Sequence, residues 1–258
     1  VPTMFVRLLA LPAEVRARYD LSSHRCAIHA AAPCPVPVKR AMIEWWGPII
    51  HEYYAGSEGI GTTVVDSRTW LERPGTVGRP VNGVTVHILD DAGRELPAGE
   101  TGRIFFAGGP RFAYHNAVEK TAASYDDRGW ATLGDLGRLD ADGFLYLSDR
   151  RADLILSGGV NLYPAEIEAV LAAHPDVAEV AVVGVPDADM GERVHAVIVP
   201  RPGAAPDVPA LEAWCRDRLA GPKRPRSWEF AAELPRSEAG KLLRRLLKEQ
   251  YLPPEGPV

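Results

Sequence analysis

Cysteine is scarce in this chain: Cys26, Cys34 and Cys215 are the only three in 258 residues, an odd number with no Cys-x-x-Cys spacing. That pattern excludes a disulfide framework and a thiolate zinc site, and it fits a reducing, cytoplasmic setting. Basic charge is also in deficit, with 29 Lys and Arg against 34 Asp and Glu and a formal net charge of −5. Without a basic stripe, nucleic acid is excluded as the expected partner, because phosphate neutralisation supplies most of that affinity. No apolar run reaches the ~18 residues of a membrane span, and the N-terminus lacks the charged-then-apolar layout of a signal peptide. The seven histidines are scattered, with no metal-ligand cluster, serine triad or paired-carboxylate hydrolase pattern around them. The chain begins Val1-Pro2-Thr3 rather than with methionine, which reads as the interior of a longer protein.

What is present is an ordinary globular composition, 46% hydrophobic and 24% charged, sufficient for two or more compact units. Residues 1–60 carry α/β texture. Met4, Phe5, Leu8 and Leu9 recur at helical spacing, Cys26-Ala27-Ile28 reads as a strand, and Val38 to Trp46 as a helix closed by Gly47-Pro48. Trp45 and Trp46 are expected in the core of that helix. From 61 to 149 the pattern changes to short alternating strands such as Val84 to Leu89 and Gly102 to Phe106. Turns at Asn82-Gly83, Asp91-Ala92-Gly93 and Asp140 to Gly143 separate them, predicting a small β-barrel or curled antiparallel sheet. Residues 150–258 form a separate α+β unit. Pro164 opens a helix with Ile167, Val170 and Leu171 on one face; Val180 to Val185 and Val194 to Val199 are strands. A second helix carries Leu211, Trp214 and Cys215, and a third amphipathic one covers Leu242 to Lys248.

Two short segments carry chemistry. Tyr54-Ala55-Gly56-Ser57-Glu58 sets a hydroxyl beside a carboxylate, and Pro235-Arg236-Ser237-Glu238-Ala239-Gly240-Lys241 holds one lysine on a glycine-bearing turn. Taken alone, the first reads equally as a polar turn after buried aromatics, and the second as a solvated surface lysine. Ala30-Ala31-Ala32-Pro33 follows an apolar strand with small residues that let a flat ligand approach the backbone. Trp130 to Asp135 ends in a carboxylate, Asp149-Arg150-Arg151-Ala152-Asp153 is a charged joint, and Ser157-Gly158-Gly159 fits a hairpin turn.

As a set these segments resemble the C-terminal portion of an AMP-forming acyl-CoA synthetase, in the adenylate-forming superfamily shared with luciferases and peptide-synthetase adenylation domains. Tyr54 to Glu58 is similar to that family's Tyr-Gly-x-Thr-Glu signature, with Ala55 for glycine and Ser57 for threonine. The resemblance implies an adenylate-forming fold whose N-terminal part is missing here: α/β plus a small β-barrel over 1–149, followed by a mobile α+β domain over 150–258. It also implies ATP-dependent ligation of a carboxylic acid, a fatty acid by the wording around Gly158, to coenzyme A through an acyl-adenylate, releasing AMP and pyrophosphate. Alternatives left open are a non-catalytic AMP-binding or interaction module and another adenylating enzyme such as a peptide-synthetase adenylation domain.

Carried over residue by residue, Ala31, Ala32 and Pro33 line the adenine site, Tyr54 stacks on the base and Ser57 meets phosphate. Glu58 assists catalysis through Mg2+, Asp135 and Arg150 hold the ribose, and Gly158 and Gly159 border the path of coenzyme A. Lys241 is the adenylation lysine and Ala152 the hinge. Leu133 stands where the family has threonine, and Ala152 where it has a charged residue. The family's Gly- and Ser/Thr-rich phosphate loop has no counterpart and is expected upstream of Val1. Substrate partners are then the acid, ATP and coenzyme A; a homo-oligomer is compatible with the sequence.

Overall fold

The computed structural model describes residues 1–150, 153–238 and 240–251, with the backbone alone of Asp149 and Arg150. The chain divides into two compact units, Val1–Ser148 and Asp149–Val258. Each is described by itself.

The first unit is built on strands β1 (Ala27–His29), β2 (Ile50–Ala55), β3 (Thr62–Asp66), β4 (Thr76–Pro80), β5 (Thr85–Leu89), β6 (Gly102–Ala107), β7 (Asp135–Leu139) and β8 (Leu145–Arg150). They pair in the order β1-β2-β3-β4-β8-β7-β6-β5, a path that has two ends and closes no ring among the described residues. Of the small β-barrel or curled antiparallel sheet expected for 61–149, the described strands form the antiparallel sheet and not a closed barrel. β1 and β2 are parallel, so the chain must cross back between them, and α3 (Val36–Trp46) makes that crossing. α1 (Pro2–Leu9) lies against α3; α2 (Ala13–Arg16), α4 (Ser67–Glu72) and α5 (Val118–Ala122) are short.

Two apolar clusters fill this unit. Phe5, Met42, Ile43, Ile50, Val65 and Trp70 join the helices to β2 and β3, with Trp45 and Trp46 packed partly buried against them. Ile60, Val77, Val86, Ile88, Ile104, Phe106 and Leu145 fill the antiparallel part. In α1 the periodicity promised more than it delivers, since Phe5 is buried but Met4 is exposed. A helix of eight residues buries only one narrow face, here Pro2 and Phe5, and Met4 lies off it.

The second unit is a layered α+β arrangement. β9 (Ile155–Ser157) and β10 (Val160–Leu162) form a hairpin; β11 (Val177–Asp187) and β12 (Gly191–Pro200) form a long antiparallel pair, and β13 (Ser227–Phe230) joins β12 in parallel. Both faces of the long pair are covered, which explains its near-continuous apolar run. Val182, Val194, Ala196 and Ile198 face α6 (Pro164–Ala172) and α7 (Val208–Arg216), meeting Ile167, Leu171, Leu211 and Cys215. Ala181, Val183, Val185 and Val197 face the other way and meet Leu247 of α8 (Arg244–Tyr251) and Leu234. α6 starts on Pro164, where its missing N–H costs nothing, and Asp207 caps α7 by accepting from Ala210 N at 2.8 Å. The strands run further than the apolar periodicity suggests because the hairpin continues pairing through Asp187 and Gly191.

Candidate active site

The parallel strands β1 and β2 end on the same edge of the sheet, and ligands of open α/β sheets bind at such carboxyl ends. Ala30 to Pro33 leaves the end of β1, and Tyr54 to Glu58 leaves the end of β2. Ala31 holds a left-handed backbone (φ 73°), a conformation that costs a side-chain-bearing residue about 1–2 kcal/mol and that fixes the direction of the loop.

Eighty-one residues beyond Tyr54, β7 opens on Asp135, whose buried carboxylate accepts a hydrogen bond from the Tyr54 hydroxyl at 2.6 Å. Thr132 Oγ1 accepts from Gly134 N at 3.0 Å and sets the turn that delivers Asp135. Leu133, in the family's threonine position, packs partly buried against the antiparallel core, so it serves by apolar contact rather than by hydrogen bonding. A Cβ at Gly56 would lie 2.6 Å from both Glu58 Oε2 and Leu133 Cδ2, so a side chain there would push these two side-chain ends from their present positions.

Glu58 is the charged centre of this corner. Its Oε1 accepts from the Tyr114 hydroxyl at 2.7 Å and its Oε2 from Ser57 Oγ at 3.3 Å. The Tyr114 bond, more than any other cause, holds the Glu58 carboxyl below the usual carboxylate range, so it is ionised at neutral pH. Lys120 Nζ sits 3.9 Å from the centre of the Tyr114 ring, which adds positive potential on the same side. Tyr114 was invisible to sequence reasoning. It stands in an aperiodic loop before α5, where the sequence Phe112-Ala113-Tyr114-His115 carries no motif.

Among the described residues no group of three or more His, Cys, Asp and Glu side chains could hold a metal ion alone. Glu58 with Ser57 instead offers hard oxygen donors of the kind that share Mg2+ with substrate phosphates. These residues fit the ion in that shared role.

Behind the site, Glu52 of β2 is buried and braced from two directions. The Lys39 ammonium of α3, fully buried, donates to Glu52 Oε2, and His29 Nε2 of β1 lies 3.2 Å from Oε1. Burial would raise the Glu52 pKa, but the His29 and Lys39 contacts outweigh it and the net direction is downward. Burial pulls the Lys39 pKa below its ordinary value, while Trp70 offers its ring face at 4.7 Å. The Cys34 thiol beside them is pushed up to about 12, by burial first and by Glu52 second, and is unreactive. His29 is occupied in this brace and in an edge contact with Phe5.

In the second unit, Gly158 and Gly159 form the two-residue turn between β9 and β10 with φ of 56° and 78°, the geometry that glycine makes accessible in such hairpins. Gly158 N donates to Met190 O at 2.8 Å. Lys241 sits, partly buried, on a small hairpin: Ser237 N donates to Lys241 O at 2.9 Å, and Lys241 N to Ser237 Oγ at 3.2 Å. The Arg150 side chain and Ala152 lie outside the described residues, as does the tail from 252. The structure thus joins Tyr54 with Asp135 and Ser57 with Glu58. Lys241, Gly158 and Gly159 belong to the second unit.

Comparison with known families gives two matches in tandem, an AMP-binding enzyme domain over residues 1–112 and an AMP-binding enzyme C-terminal domain over residues 166–241. The chain belongs to the AMP-binding enzyme family. Relatives within the family include a long-chain-fatty-acid–CoA ligase of Bacillus subtilis (strain 168), 39% identical over 96% of this chain and 44% of the relative. Another is a 2-succinylbenzoate–CoA ligase of Geobacillus kaustophilus (strain HTA426), 40% identical over 96% of this chain and 50% of the relative. Among solved structures, ATP-bound MatB from Rhodopseudomonas palustris superposes with a TM-score of 0.86 at 34% identity, covering 97% of this chain and 50% of that one. The chain spans about half the length of the family members it matches. No helix among the described residues is long and apolar enough to cross a membrane.

Proposed function

We propose that this chain supplies the nucleotide-holding and lysine-bearing portions of an AMP-forming acid–thiol ligase. In the first half-reaction a carboxylate oxygen of the acid attacks the α-phosphorus of ATP, the bond to the β-phosphate oxygen breaks, and pyrophosphate leaves. In the second the coenzyme A thiolate attacks the acyl carbon and AMP departs with the electrons of the cleaved C–O bond. A fatty acid is the substrate we favour, on the name of the Bacillus relative.

Each residue has a stated task. Tyr54, with Ala31, Ala32 and Pro33, faces adenine at the strand ends; Asp135, acceptor-only when ionised, takes both ribose hydroxyls with help from Arg150. Glu58 and Ser57 would hold Mg2+, which when bound would supply charge neutralisation for the leaving pyrophosphate. Lys241 places its ammonium where negative charge builds between carboxylate and α-phosphate. Gly158 and Gly159, lacking side chains, let the thiol arm of coenzyme A run close to the backbone.

The observation that carries this reading is the 2.6 Å bond from Tyr54 to Asp135 beside an ionised Glu58, because it unites two separate sequence motifs at one strand edge. Acid-dependent exchange of labelled pyrophosphate into ATP, run over a panel of aliphatic and aromatic carboxylic acids and followed by thioester formation on adding coenzyme A, tests it. Exchange with at least one acid is expected. AMP binding with no exchange across the whole panel overturns the ligase reading in favour of a non-catalytic AMP-binding module.

A further inference from the structure

Lys241 is useful to the proposed reaction only if its ammonium is aimed, and the backbone of a small turn does not by itself aim a flexible four-carbon side chain. The hairpin under it is small. Leu243 N donates to Pro235 O at 2.9 Å and Gly240 N to Ser237 O at 2.8 Å, and Arg236 bridges Leu242 across the turn. Leu234 and Leu242 anchor this hairpin in the apolar cluster against β11 and β12, and the guanidinium of Arg236 adds a polar tie to it. One of its terminal nitrogens donates to Gly240 O at 2.9 Å, and the other to Glu179 Oε2 on β11 at 2.6 Å. Gly240 O lies in the same planar peptide group as Lys241 N, so a bond to that carbonyl fixes the plane from which the Lys241 side chain departs. The opposite face of that plane is held by Ser237 through Lys241 N. The guanidinium fork suits this double duty, since its donors diverge at fixed angles.

We propose that Arg236 and Glu179 are positioning residues for Lys241: a two-armed strut from β11 that orients the lysine for the first half-reaction and has no part in the second. The inference rests on the role given to Lys241 above. The Arg236 and Glu179 side chains are 26% and 35% exposed, and pairs so open to solvent contribute little to folding. Their loss should therefore appear in catalysis rather than in stability.

The test compares Arg236→Gln, Arg236→Lys, Glu179→Gln, the Arg236→Gln/Glu179→Gln double variant and a Lys241→Ala control in the full native polypeptide. Pyrophosphate exchange, thioester formation from preformed acyl-adenylate, melting temperature and amide hydrogen exchange over 237–243 are measured for each. Arg236→Gln is expected to lower the exchange kcat by about ten- to a hundredfold, the scale of a misplaced catalytic group, with the KM for ATP unchanged. Thioester formation and melting temperature should hold, and exchange of the 237–243 amides should quicken. Glu179→Gln should fall less, Arg236→Lys should recover part of the loss, and the double variant should be no worse than Arg236→Gln. Full exchange activity in Arg236→Gln beside an inactive Lys241→Ala overturns the strut while leaving the ligase reading intact. Equal losses in both half-reactions, or losses that track melting temperature, also overturn it. An active Lys241→Ala sinks the lysine's assigned role and the strut with it.

Discussion

In the first unit Lys39, Glu52 and His29 lie buried where β1, β2 and α3 meet, whereas in the second the charged pair nearest the chemistry, Arg236 with Glu179, stands partly in solvent. Both arrangements steady a functional loop, and they do so on different terms. A buried brace is rigid because breaking it strands a charge away from water. An open pair gives direction at little cost to stability and can be exchanged for water. Under the proposed function, a site holding a flat nucleotide would benefit from the first, and a lysine delivered to developing charge would need only the second. The Tyr54–Asp135 and Glu58–Tyr114 bonds are part-buried and stand between these two cases.

This contrast can be broken by substitution. The largest effect should come from Lys39→Met, which strands Glu52 and should lower the unfolding free energy by about 3–5 kcal/mol in urea denaturation. Adding Glu52→Gln should restore part of it, and a loss below 1 kcal/mol would show that the brace is not what stiffens the first unit. Next, Lys241→Ala should lose ~2.7–4 kcal/mol of transition-state stabilisation, about a hundredfold or more in pyrophosphate exchange, with an unchanged denaturation midpoint. A fall in stability there would contradict the division between the units. Tyr54→Phe removes the donor to the buried Asp135 carboxylate and should cost roughly 1.5–3 kcal/mol, read as weaker AMP binding by calorimetry.

A smaller effect is expected from pH. His195 in β12 contacts Ser227 Oγ at 2.8 Å through Nδ1 and the Tyr251 hydroxyl at 3.0 Å through Nε2, with Glu229 and Arg193 also facing it. Burial, the largest cause, lowers its pKa below the ordinary value, although Glu229 pulls the other way. The folded state therefore resists the proton that the unfolded chain accepts. Stability of the second unit should decline as pH falls below about 6.5 and level off once the folded-state pKa is passed. The melting temperature of the His195→Gln variant should lack this slope between pH 7 and 5. Smallest of all, Arg245→Ala on the open face of α8 should change stability by less than about 0.5 kcal/mol, since its pairing with Glu249 is exposed at one helical turn.

Much of the fold was legible along the chain. The strands around Val84 to Leu89 and Gly102 to Phe106, the helix opening on Pro164 and the amphipathic third helix all follow from period and turn chemistry. The misses share one cause. Met4 obeys the helical period and is exposed, while the charged Lys39 and Glu52 are buried, a placement that no local pattern announces. Periodicity says which face of an element is apolar, but not which neighbour arrives to cover it.

The sequence by itself determined the local elements, the glycines that make the tight turns, the scarcity of thiols and the family to which the motifs point, because each depends on residues a few positions apart. Tertiary structure alone decided that Tyr54 reaches Asp135, that Tyr114 joins the adjacent Ser57 in holding Glu58, and that Arg236 grips both Gly240 and Glu179. The physical reason is that hydrogen bonds have short reach and strict direction, so partners 56, 57 or 81 residues apart become partners only when strand order brings them within 3 Å.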